Sequence, residues 1–354
     1  MHLAVNGHPL HSRALGVTLS QGVGGNLDVA AYLLDLRKRG VVPVAGDLQP
    51  AGVIHHMQLS AVVDPCSRAL SRIQAAQPAV AFEPSATTEG ESCRDPIGRI
   101  VALDGVRLGT GYPRRMSEEI GGPRGCSHIL TLAQLLGSTI DTALDGTRVD
   151  AGAAFRVGER LFRRDVVIDG HETESASLEL AIQLTDLYCA PAAERARPMD
   201  RFAGQLEIRA LSTIDVAQFR LTAIRAAQRV RTLADVEQAE WQDRAETVAD
   251  LVGLSLFSGV SRELVRRFTD RPADRPLLDA LLMLSPALIQ CAGALSERWP
   301  AEAKRSRSRM GTSGLTDSCY MWRRDGALGR AIQKEIDDGV LRPRRRENEP
   351  PGEG

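Results

Sequence analysis

Leu27-Asp28-Val29-Ala30-Ala31-Tyr32-Leu33-Leu34-Asp35-Leu36 returns 151 residues later as Leu178-Glu179-Leu180-Ala181-Ile182-Gln183-Leu184-Thr185-Asp186-Leu187. Ile73-Gln74-Ala75-Ala76-Gln77 returns at the same offset as Ile224-Arg225-Ala226-Ala227-Gln228. At an offset of 148 residues, Leu103-Asp104-Gly105-Val106-Arg107-Leu108-Gly109-Thr110-Gly111 returns as Leu251-Val252-Gly253-Leu254-Ser255-Leu256-Phe257-Ser258-Gly259. Matches kept in order at nearly one spacing mark an internal repeat. The expected fold is therefore α+β: two similar tandem halves, each an antiparallel sheet followed by helices, packed as a pseudo-dimer.

Within the first half, residues 10–19 and 27–36 read as strands joined by Gly22-Val23-Gly24-Gly25-Asn26, whose glycines supply positive φ at low cost. A third strand is expected over 52–64, with His56 on the face of Ile54 and Gln58, and His55 on that of Val53 and Met57. Residues 67–79 fit either a helix or a last strand. Helices are expected over 97–103, 116–120 and 127–143, the last amphipathic through Ile129, Leu132, Leu135, Leu136 and Ile140.

The second half predicts strands near 161–168, 177–187 and 204–210. Helices follow near 215–231, 243–256, 261–268 and 277–295, the last kinked at Pro286. The expected boundaries are 8–148 for the first repeat, which carries a Cys/His cluster, and 155–298 for a second, degenerate repeat. A linker and docking segment covers 299–336, with Cys319-Tyr320-Met321-Trp322 as its anchor or as a cover over a ligand pocket. A disordered tail follows over 337–354.

The 354 residues carry a formal net charge of −1, which removes the electrostatic case for nucleic acid or an anionic membrane surface. The most apolar run, 276–292, is interrupted by Asp279, Ser285, Pro286 and Gln290 and reads as buried helix rather than a membrane span. Six scattered cysteines without a visible export signal fit reduced thiols in a cytoplasm. P-loop, dinucleotide-fingerprint, His-Glu-x-x-His and Gly-x-Ser-x-Gly motifs are absent.

The chemistry-bearing residues concentrate in the first half. Gly125-Cys126-Ser127-His128 opens the long helix, with Ser127 as the expected N-cap, and unpaired N–H groups there favour a thiolate at Cys126. Cys93 precedes another helix. Cys93, Cys126 and His128, with His55 or His56 as a fourth ligand and His56 the one assigned, would form a soft-metal set for zinc or iron. Without a metal, Cys126 and His128 would serve as nucleophile and base. Equally open is the reading in which these cysteines are simply core residues. At the 148-residue offset the three land on Trp241, Asp274 and Pro276, whereas Leu103, Leu108, Leu130 and Leu136 land on leucines. A shared core with one retained polar cluster points to a site in the first half.

Leu27-Asp28-Val29, Leu34-Asp35, Cys93, Gly121-Gly122 and Gly125-Cys126-Ser127-His128-Ile129 give the region 10–145 a resemblance to an uncharacterised bacterial family. That family is a domain of unknown function with a Gly-Cys-Thr-His-Leu helix start; Ser127 and Ile129 replace the usual Thr and Leu. In architecture alone, the plan resembles NifU-type iron–sulfur scaffolds. The leading expectation is a bacterial, cytoplasmic enzyme acting on a small molecule through one metal- or thiol-based site. The alternatives are a non-catalytic metal or iron–sulfur carrier and an interaction protein with no site. Oligomeric state is left open.

Overall fold

A computed structural model describes residues 7–44, 47–146, 155–173, 177–192, 197–216, 218–256, 259–268, 270–295 and 316–338. Among the described residues eleven strands are present: β1 (His8–Gln21), β2 (Leu27–Arg37), β3 (Val42–Val44), β4 (Asp47–Gln49), β5 (Gly52–Val63), β6 (Leu70–Ala79), β7 (Arg160–Glu172), β8 (Leu178–Cys189), β9 (Phe202–Asp215), β10 (Arg220–Arg231) and β11 (Gln242–Asp243). The α-helices are α1 (Tyr112–Ile120), α2 (Ser127–Asp145), α3 (Ala245–Val248), α4 (Val260–Phe268), α5 (Arg275–Leu282), α6 (Leu284–Leu295) and α7 (Ala327–Asp337).

Nine strands form one sheet in the order β11-β10-β9-β8-β7-β1-β2-β5-β6. Every pairing is antiparallel, and β1 and β7 join the two sides through a ladder running from His8–Glu172 to Ser20–Arg160. The fold is thus α+β around one large antiparallel sheet. Alternation decides which side chains face the helices. Along β2, Leu27, Val29, Ala31, Leu33, Asp35 and Arg37 are all buried, and the intervening residues are not. Helix α2 covers this face with Ile129, Leu132, Leu135, Leu136 and Ile140, and a single apolar cluster runs from there through β7–β10 to α6.

Two expectations change. Residues 215–231 were expected as a helix from their Ala, Arg and Gln content, but β10 pairs with β9 from Arg220 to Arg231. Cross-strand pairing and burial of Leu221, Ile224, Ala226 and Ala227 override local helix preference. The region 243–256 holds only the short α3 and a 3-10 turn at Ala249–Leu251. The ambiguous stretch 67–79 resolves as β6. The break in 277–295 falls at Met283, before Pro286, because a proline ring excludes the helical carbonyl four residues earlier, that of Leu282.

The docking segment returns to the body beside the start of α2. Met321 is buried with Phe82 and Leu328, and Trp322 meets Phe82 edge-on at 5.8 Å. Tyr320 N donates to Gly125 O at 2.8 Å, and Arg323 pairs with Glu91. The expected mobile linker 303–313 and disordered tail lie outside the described residues, apart from Asp337 and Asp338 at the tail's start. Among the described residues one helical run, Pro272–Leu295, is long and apolar enough to cross a membrane, and 67% of its apolar window is buried inside the protein.

Each side of the sheet encloses an arginine–aspartate pair. On one side Arg13 and Asp35 sit opposite each other on β1 and β2; on the other Arg164 and Asp186 sit opposite each other on β7 and β8. Arg164 donates through Nε and Nη2 to both Asp186 oxygens at 2.6 and 2.7 Å and through Nη1 to Asp279 of α5. Arg164 and Asp186 are both fully buried. Arg164→Met removes the counter-charge of two enclosed carboxylates and is expected to cost about 3–5 kcal/mol. Guanidinium unfolding of wild type and variant measures this, and unchanged midpoints would contradict it.

Candidate functional site

Asp35 is the hub. It is 0% exposed in the middle of the helix-covered face, where an unpaired carboxylate would be prohibitive. Arg13, 1% exposed, reaches across from β1 and donates Nε to Oδ1 at 2.7 Å and Nη2 to Oδ2 at 2.8 Å. This fork-on-fork geometry is the strong form of a charge-assisted pair. His11, two residues before Arg13 on the same strand, places Nε2 at 2.9 Å from Oδ1. His55, the register partner of Asp35 on β5, places Nδ1 at 3.0 Å from Oδ2. His128, on the first turn of α2, lies with Nε2 3.4 Å from Oδ2.

The partners set the protonation states. Burial opposes ionisation of Asp35, but the Arg13 guanidinium and the bonds from His11 and His55 outweigh it and hold the carboxyl well below its usual range. Arg13 therefore neutralises Asp35, and a second cation beside them has no counter-charge. Burial pushes His11 and His128 toward the neutral form; for His128, neighbouring His55 adds to the effect. The nitrogens that face Asp35, a pure acceptor, carry the donated protons: Nε2 on His11 and Nδ1 on His55.

His128 differs. Gln290 of α6 has its amide nitrogen 3.2 Å from His128 Nε2, and His128 Nδ1 lies 3.9 Å from Cys126 Sγ; where Nε2 accepts from Gln290, the ring proton is on Nδ1. In that state His128 Nε2 is near Asp35 without donating to it. A proton arriving at Nε2 would be met by the carboxylate. The His55 and His128 rings stack, with centroids 3.7 Å apart and planes inclined by 29°. His128 is the least covered of the three imidazoles, its side chain 14% exposed.

The expected ligand set is only partly assembled. Cys126, not Ser127, is the N-cap residue of α2. Its thiol is buried and pushed up to about 11, chiefly by that burial, so the helix start does not yield a thiolate at neutral pH. Cys93 packs instead with Cys319, Trp322, Phe82 and Met321 under the docking segment. His56 points away from Asp35: strand alternation puts His55 on the covered face and His56 on the other, beside Gln58. Among the described residues, the His, Cys, Asp and Glu ligand atoms that gather within 4.8 Å of one another belong to Asp35, His55 and His128.

Two histidines and a carboxylate have the composition of a first-row metal site. The arrangement fits such a site poorly. Both carboxylate oxygens are already held by Arg13, and stacked rings send their in-plane lone pairs along similar directions rather than toward one point. A cavity of about 650 Å³ lies elsewhere, lined by Leu19, Leu27, Phe162, Tyr188 and Leu206. Leu19 is six residues from Arg13 along β1, roughly 20 Å away. The cavity lining is mostly apolar, with Tyr188, Cys189, Gln205 and Thr232 among it, and its one charged residue, Arg231, is tied to Glu207 and Val236 O.

Sequence reasoning overlooked His11, Arg13 and Asp35. Their signal lay in the repeat, because Arg13 and Asp35 return as Arg164 and Asp186 at the 151-residue offset. The second pair carries no imidazoles. Phe162 precedes Arg164 as His11 precedes Arg13, Leu206 faces Asp186 as His55 faces Asp35, and Asp279 contacts the pair from a helix.

Residues 11–142 match the family described as protein of unknown function DUF2889. No curated protein and no solved structure matches the chain, and the architectural likeness to NifU-type scaffolds gains no support. Among the described residues, the cysteines on which that likeness rested are not part of the Asp35, His55 and His128 group.

The neutral imidazoles make stability depend on acid. A histidine whose folded pKa is depressed contributes fully above its unfolded value of about 6.5 and loses that contribution as pH falls below it. Asp35, also depressed, contributes above its unfolded value of about 3.9, so it adds no decline between pH 7 and 5. The thermal midpoint is expected to drop from pH 7 to pH 5, and His11→Phe, which copies Phe162, should flatten that drop. A midpoint constant across this window would contradict the assignment.

Proposed function

We propose that the chain is an enzyme of small-molecule metabolism with one proton-transfer centre, in the first of two tandem copies of a sheet-and-helix unit. The observation that carries this reading is the difference between the two arginine–aspartate pairs. Both sides of the sheet keep the pair, which is what the fold needs; one surrounds it with His11, His55 and His128, and the other with Phe162, Leu206 and Asp279. Three buried imidazoles on one carboxylate add nothing to packing that Phe and Leu do not supply.

In this reading Asp35 fixes the His55 tautomer, so that Nε2 is the base, and stabilises the imidazolium that forms when it takes a proton. Arg13 keeps Asp35 ionised and fixed in orientation. His128, stacked on His55 and accepting from Gln290, is the second proton-holding group and faces the more open side. Cys126 serves as a buried thiol against His128 rather than as a nucleophile, which replaces the expected thiol chemistry with imidazole chemistry.

A metal-assisted reaction is the second reading, favoured by the mutual approach of the Asp35, His55 and His128 ligand atoms within 4.8 Å. Zinc or iron would then be held by those three residues, with His55 in place of His56. Two measurements on the same preparation separate the readings. Elemental analysis is expected to find no stoichiometric metal. Incubation with a bacterial metabolite extract in deuterated water, followed by mass spectrometry, is expected to show deuterium uptake or conversion that His55→Gln abolishes. Stoichiometric zinc or iron lost in His128→Ala would favour the metal reading, and conversion unaffected by His55→Gln would overturn proton transfer at His55.

A further inference from the structure

Among the described residues, Arg37 is a buried cation without an acid of its own. It follows Asp35 by two residues on β2, on the same face and about 7 Å further along the strand. It is 4% exposed, yet its hydrogen bond goes to a neutral acceptor, Nη1 to Gln49 O at 3.2 Å, and its Nε has no partner. Among the described residues no carboxylate pairs with it. Asp35 is the acid that favours its charge, and Asp35 is already neutralised by Arg13. A guanidinium so buried without a counter-charge carries a desolvation penalty that folds ordinarily avoid by pairing.

Other unmet groups lie nearby on the same covered face. His11, the register partner of Arg37, has its Nδ1 buried and unpartnered. Gln77 is buried in the irregular stretch of β6 opposite Met57, one same-face step from His55, with neither its amide nitrogen nor its amide oxygen bonded. Buried polar atoms are nearly always satisfied, so the unmet atoms of Arg37 and its register partner His11 mark a place built for something polar, with Gln77 further along the same face beyond His55. The acceptor on His11 and the mixed amide of Gln77 suit a hydroxyl or carbonyl; the guanidinium suits an anion.

We infer that the substrate of this site is a small carboxylate, with its carboxyl group bound by the Nε side of Arg37 and its reacting carbon or hydroxyl presented to His55 and His128. Arg13 shows the geometry in the same sheet, gripping Asp35 through Nε and Nη2. Arg37, whose Nη1 is spent on Gln49 O, has the equivalent edge of its fork for the ligand. The bound carboxylate completes the charge balance that the protein leaves open, one anion for Arg37 beside the neutral Arg13–Asp35 pair. This deepens the proton-transfer reading and rests on it for the reaction, although not for the binding.

Binding is tested with acetate, butyrate and benzoate as probes at pH 7.5, by thermal unfolding and calorimetric titration at constant ionic strength, with sodium chloride and inorganic phosphate as comparison arms. Wild type is expected to gain a saturable rise in unfolding temperature with a carboxylate, beyond that given by chloride or phosphate. Arg37→Met, which keeps the length and apolar stem, is expected to unfold at a higher temperature than wild type without ligand and to show no carboxylate response. His55→Gln is expected to retain the response. The inference is overturned if no carboxylate acts beyond chloride, if phosphate alone acts, if Arg37→Met responds as wild type does, or if it unfolds at a lower temperature without ligand. Carboxylate binding that needs Arg37, with conversion indifferent to His55→Gln, would uphold this inference while removing the proton-transfer reading.

Discussion

The ion pair between Arg13 and Asp35 is the constraint on which the site depends. Taking a carboxylate to zero exposure in a sheet-and-helix core is tolerable only with a counter-ion of matched geometry, and Arg13 provides both of its fork bonds. Once fixed, the carboxylate still has lone pairs to offer. His11 and His55 use them, from the strands on either side of β2, and the start of α2 brings His128 to the remaining approach. The ion pair thus determines where the imidazoles sit, which nitrogen of His11 and His55 carries the proton, and why His11 and His128 stay neutral.

The same pair explains how sheet and helices cooperate. Strand alternation places Arg13, Asp35 and His55 on the covered face, and the antiparallel ladders bring them level. The helices then contribute the first turn of α2, with His128, and the middle of α6, with Gln290. On the other side Arg164 is met by Asp279 of α5 and by Thr142 near the end of α2. Each pair therefore receives contacts from helices that follow different strand sets in the chain, and this ties the two sides of the sheet together across the β1–β7 seam.

Much of the fold was legible in the sequence because it rests on local period. The strands over 10–19, 27–36 and 52–64, the hairpin glycines and the amphipathic α2 could all be read from spacing. What failed was non-local. The β10 sequence, Arg-Leu-Thr-Ala-Ile-Arg-Ala-Ala-Gln-Arg-Val-Arg, favours a helix until β9 pairs with it. At the site, His128 was visible from its helix start, but the choice between His55 and His56 turned on strand register. The cysteines drew attention because thiols suggest chemistry, yet Cys93 and Cys126 are packed and held as thiols. Arg13 and Asp35 were hidden for the opposite reason: charged residues within strands are ordinarily read as solvent-facing, and only their return as Arg164 and Asp186 marked them as core.

Asp35, clamped by Arg13, organises three imidazoles, of which His11 and His128 are held neutral by burial. Long-range proton–nitrogen correlation spectra of the nitrogen-labelled protein at pH 7.5, assigned through single histidine substitutions, read this directly. The expected spectra show neutral His11 protonated on Nε2, neutral His128 protonated on Nδ1, and His55 carrying a proton on Nδ1, the nitrogen facing Asp35. An imidazolium at His11 or His128, or His55 protonated on Nε2 rather than on the nitrogen facing Asp35, would contradict this assignment.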